Sequence, residues 1–65
     1  MAEWTMEEVL RLALRHETEN FGEYKKASEE AQNPAIRAMF QFLADEERAH
    51  IKLVRDKMAE FQVKE

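Results

Sequence analysis

Gln32-Asn33-Pro34 decides how this chain folds, because nothing else in it gives a helix reason to stop. One Gly and one Pro stand among 65 residues, and a chain so poor in breakers reads as long helices with one interruption. Asn33 is a good N-cap and Pro34 fits the first position of a following helix. Pro34 also drives Asn33 out of helical geometry, which closes the helix before it. Working outward, the first helix opens at Thr5, where Thr5 and Glu8 have the spacing of a capping box. Trp4 stands where it can staple onto Val9. The expectation is one domain over residues 1–65, with helix one over about 6–31 and helix two over about 34–63.

Both helices carry a core stripe in alternating three- and four-residue steps. On helix one it reads Met6, Leu10, Ala13, Glu17, Asn20, Tyr24, Ala27, Ala31. On helix two it reads Ile36, Phe40, Leu43, Glu47, His50, Val54 and on to Phe61. Val9, Leu14, Phe21, Met39, Ile51 and Met58 widen the stripes beyond what two antiparallel helices can cover. The fold class expected is therefore all-α: a two-helix antiparallel hairpin that completes a four-helix bundle by dimerising. A chain this short usually needs disulfides, metal or oligomerisation to be stable. It has no cysteine, which excludes disulfides, zinc fingers and rubredoxin-type iron sites and leaves the other two.

Charged residues make up 37% of the chain, with both signs mixed and a formal net charge of −4. Nucleic acid is not an expected partner, since that calls for a basic face. No apolar run is long enough to span a membrane. The N-terminus has no basic region followed by an apolar core, so a cytoplasmic location is expected.

Three residues on the stripes are the wrong kind for a core. A short turn sets the helices antiparallel. Counted from residues 32–33, Glu17 lies 15 to 16 residues back, while Glu47 and His50 lie 14 to 18 residues forward. At 1.5 Å per residue, all three meet roughly 20–25 Å from the turn. Glu47 and His50, three apart, share a helix face. Acid and imidazole on an apolar face need compensation, and a metal ion supplies it. A two-fold repeat of the hairpin gives four Glu and two His, a set described for di-iron carboxylate bundles. Carboxylate and imidazole without thiolate suit iron or manganese.

Glu-x-x-His is a weak signal by itself. His50 read alone is equally a hydrogen-bonded core histidine, and Glu47 a polar residue that sets register. Tyr24, two turns after Glu17, is either a core aromatic or a redox-active neighbour of the site. Asn20 reads as a support to the ligands or a local hydrogen bond. His16 points off the stripe and reads as exposed, and the four Met residues read as core filler. Glu7/Arg11, Arg15/Glu19 and Lys26/Glu30 have the spacing of a solvated face.

The run Glu17-x-x-Asn20-x-x-x-Tyr24, followed by Phe40-x-x-x-Ala44-x-x-Glu47-x-x-His50, resembles the rubrerythrin branch of the ferritin-like superfamily. Leu43-Ala44-Asp45-Glu46-Glu47-Arg48-Ala49-His50 is its most specific part. The resemblance implies a di-iron centre held by Glu17, Glu47 and His50, with Tyr24 nearby. Ordinary members hold four helices in one chain. In organisation this chain is similar to encapsulated ferritins, two-helix chains that complete the site between subunits, form an open ring and are housed in encapsulin shells. That likeness implies a ferroxidase, at least a homodimer, and an encapsulin partner. The alternatives are a rubrerythrin-like peroxide reductase, for which the chain has no cysteine-based electron donor, and a metal-free helical oligomerisation module.

Overall fold

Thr5 begins the structure as the sequence requires. In the computed structural model, which describes residues 3–65, its hydroxyl accepts from the Glu8 N–H at 3.1 Å. The Glu8 carboxylate accepts from the Thr5 N–H at 2.9 Å, completing the capping box. From there α1 runs Met6–Glu30. Trp4 and Val9 remain 65% and 44% exposed, so a staple between them buries little. Asn33 caps the second helix, its side-chain oxygen accepting from the N–H groups of Ala35 and Ile36 at 2.8 and 3.2 Å, and α2 runs Pro34–Glu60. The chain is all-α, two helices packed as a hairpin.

The turn carries a tie that sequence spacing did not reveal. Arg37, in the first turn of α2, donates from Nε and Nη2 to the carbonyl of Ala31 at 3.1 and 2.8 Å. α1 has no basic residue in its own last turn, so this guanidinium supplies the positive charge that a helix C-terminus favours.

Helix two stops three residues short of the expected 63. Gln62 adopts a left-handed conformation, φ 59°. The Val63 N–H reaches back to the Met58 carbonyl at 2.8 Å, and the Gln62 N–H to that of Ala59 at 3.2 Å. This is a Schellman closure, normally made with glycine, and glutamine in its place hid the stop.

The facing stripes are rotated from those read in the sequence. Ala44, Ile51 and Met58, seven apart, are the buried residues of α2, and Leu10 and Ser28 those of α1. Glu17, Phe21 and Tyr24 on α1, with Phe40, Glu47 and Val54 on α2, are half-buried. Asn20 and His50, both placed on the stripes, are exposed in the hairpin. A stripe wide enough for two partners has two edges, and alternating three- and four-residue steps fit either edge. Ser28 is buried at no loss of hydrogen bonding, because its hydroxyl donates to the Lys25 carbonyl at 2.7 Å.

The Cα trace measures 46 × 26 × 14 Å, a slab one helix thick. Ile36, Met39, Phe42 and Leu53 of α2 and Met6 and Val9 of α1 stay 44–63% exposed. No helix among the described residues is long and apolar enough to cross a membrane.

Candidate metal centre

Each helix brings its part of the acidic cluster to the same level, roughly 22 Å from the turn at the helical rise. Ala44 and Ile51, one turn either side of Glu47, are buried against α1 and hold that stretch of α2 in place. Glu47 points into the seam, with 15% of its side chain exposed; Glu17 faces it from α1 at 25%. His50 stands at the edge of the seam, 49% exposed. Its Nδ1 donates to Glu17 Oε2 at 3.1 Å and lies 3.8 Å from Glu47 Oε2. One ligand atom from each of the three residues falls within 4.8 Å of the others, a triangle that one ion can span.

The electrostatics mark this cluster as incomplete. Glu47 Oε2 is buried and has no hydrogen-bond partner. The Glu47 carboxyl is held above the usual carboxylate range, chiefly by hydrogen bonding with Glu17, then by burial and by the repulsion of the Glu17 charge; the Glu46 charge adds a little and His50 opposes. A second carboxylate beside it disfavours the charged form of Glu47. A cation at the same point removes the repulsion and gives the orphaned oxygen a partner. The donor set, two carboxylates and an imidazole without thiolate, fits iron or manganese.

The structure brings together all three residues singled out as ligands. Tyr24 lies apart from them: its ring stacks on Phe40, centroids 6.4 Å apart and planes at 29°. Among the described residues its hydroxyl makes no hydrogen bond to either carboxylate, so its place here is in the hairpin core. His16 is exposed, as expected, and Asn20 is exposed beside the cluster. Of the expected surface pairs, Glu7–Arg11 forms at 3.2 Å, whereas Arg15/Glu19 and Lys26/Glu30 form no ion pair among the described residues. Arg48 over the Phe21 ring, 5.4 Å from its centroid, was not anticipated; its position beside Glu47 was the available signal.

The sequence matches the family model described as Rubrerythrin over residues 8–65. It is also 43% identical over 42 residues to the encapsulin nanocompartment cargo protein EncB of Myxococcus xanthus (strain DK1622). That match covers 65% of this chain and only 27% of the relative's length. No solved structure matches the chain.

Proposed function

This chain belongs to the rubrerythrin family, and we propose that within it the protein is a ferroxidase that oxidises Fe²⁺ at a di-iron site shared by two hairpins. The observation that carries the reading is the buried, unpartnered Glu47 Oε2, set against Glu17 and His50 within one ligand triangle. Fe²⁺ is the substrate, each ion giving up one electron to O₂ or peroxide. Glu17 and Glu47 would serve as carboxylate ligands to the iron and His50 as a terminal imidazole ligand. Tyr24 is the nearest aromatic hydroxyl along α1.

One hairpin supplies half of a di-iron ligand set, so the proposal requires a second copy. The surface of the chain supports this. It exposes 5315 Å², against about 4,300 Å² for a compact globule of its mass. The excess of roughly 1,000 Å² is what one partner contributes to a standard interface. Met39 and Leu53 are exposed on the same flank of α2 as His50, which directs the second copy to that flank. The cargo role in the relative's name supports a shell partner for this chain, within which oxidised iron would be stored.

Stopped-flow absorbance after mixing Fe²⁺ and metal-free protein with O₂, or with H₂O₂, tests the activity. Oxidation faster than in buffer supports it. A response to H₂O₂ alone favours the peroxide reductase, and no acceleration with either removes the enzyme reading. Elemental analysis addresses the remaining alternative: about one iron per chain is expected of a two-metal dimer, and none after iron supplementation supports a metal-free module.

A further inference from the structure

On the flank of α2 opposite His50, Thr18 and Phe21 of α1 and Arg48, Ile51, Lys52, Arg55 and Asp56 of α2 enclose a half-open cleft of about 540 Å³. That volume lies in the range of small-molecule sites. Its charge runs against that of the chain: three cations and one carboxylate line it, in a protein of formal net charge −4. Its floor is apolar, made by the half-buried Phe21 ring and the buried Ile51.

The three cations are available to a ligand. Arg48 lies over the Phe21 ring and makes no ion pair among the described residues, so the N–H groups of its guanidinium remain open. Lys52 is paired to Asp56 at 3.0 Å and Arg55 to Glu65 at 2.9 Å, but all four of those side chains are more than half exposed. Exposed pairs of this kind are worth little and exchange readily for a better anion. Arg48, Lys52 and Arg55 are four and three residues apart, so they form one row along the helix.

We propose that this cleft binds a small organic anion in which a flat apolar ring is joined to a phosphate or carboxylate. The ring lies on Ile51 and on the outer face of the Arg48 plane, which itself rests on Phe21, and the anionic group is held by the Lys52 and Arg55 heads. An arginine fork favours a planar, two-oxygen anionic group over a single charge. Binding here does not depend on metal: the cleft and the Glu17–Glu47–His50 cluster occupy opposite flanks of α2.

The test uses AMP as probe with the full chain, read by saturation-transfer NMR on the ligand so that the assembly size is immaterial. AMP is expected to give a signal at moderate salt, with adenosine and inorganic phosphate each much weaker. Arg48→Ala is expected to abolish the AMP signal. Lys52→Glu, at a side chain 77% exposed and therefore harmless to folding, is expected to do the same. Glu29→Gln, exposed near the turn and away from the cleft, should leave it intact. AMP binding that survives Lys52→Glu, or no AMP binding at all, overturns the proposal. A poly-glutamate peptide that binds in a Lys52-dependent way where AMP does not also overturns it, in favour of a protein-docking surface. Iron content measured on the same samples shows whether the metal centre stands or falls separately.

Discussion

At the scale of single residues, the ligand assignment makes separable demands. Metal that binds the assembled site and not the unfolded chain stabilises by mass action, about 2.7 kcal/mol at a hundredfold excess over Kd. Fe²⁺ or Mn²⁺ is therefore expected to raise the melting temperature of the wild type. Glu47→Ala and His50→Ala should abolish that rise, while His16→Ala should preserve it; ligand variants that keep the full response refute the assignment. The Glu47 carboxyl adds a pH dependence. Its pKa is raised on folding, so the folded state binds the extra proton. The stability this lends metal-free protein is complete below the ordinary carboxylate range, near 4.5, and is lost as pH rises through the elevated value. Glu47→Gln should flatten that decline in thermal melts across mildly acidic pH, and an unchanged slope would locate the titration elsewhere. The convergence of Glu17, Glu47 and His50 was legible in the sequence because level and face follow from counting. The exposure of His50 was not, because one helix width separates the inner edge of a stripe from its outer edge.

At the scale of the helices, the ends govern stability. Removing the Thr5 hydroxyl in Thr5→Ala breaks the capping box and should cost about 1 kcal/mol. The same box holds the Glu8 carboxyl below its usual range, first through the Thr5 N–H and then the hydroxyl. Its contribution is therefore present above the ordinary carboxylate pKa and disappears as pH falls through the lowered one, so Glu8→Ala, which removes the carboxyl, should matter less in acid. Gln62, left-handed at a position that favours glycine, gives the opposite expectation: Gln62→Gly should stabilise by about 1 kcal/mol. Denaturant titration reads both changes. A null result at Gln62 would mean that helix two does not close where the Val63–Met58 bond places its end. The start of each helix was readable from Thr5, Asn33 and Pro34, whose side chains act within three residues of themselves. The end of α2 was not, since a left-handed glutamine leaves no compositional mark.

At the scale of the molecule, a slab 14 Å thick cannot cover its own apolar face. The proposed assembly predicts that sedimentation equilibrium at micromolar concentration finds dimers or larger species, shifted further upward by Fe²⁺ or Mn²⁺. Leu53→Glu, 63% exposed in the single hairpin, should weaken association and the metal-dependent melting shift together. A folded monomer that binds metal alone would refute the shared site. Two helices and their pairing could be read from the sequence because a single Pro divides 65 residues. Which edge of each stripe faces the partner helix was decided by packing of Ala44, Ile51 and Met58, side chains whose spacing is shared by their neighbours.

The turn between the helices does more than reverse the chain. Three residues, Ala31 to Asn33, fix how far each arm extends before the acids meet, and Arg37 clamped to Ala31 holds that spacing rigid. The candidate metal centre is thus specified by length as much as by chemistry. One residue inserted between Glu17 and the turn advances that arm by about 1.5 Å and rotates it by about 100°, which swings Glu17 away from His50. A change in the number of residues between positions 17 and 47 is therefore expected to disturb the cluster more than a conservative change of side chain there.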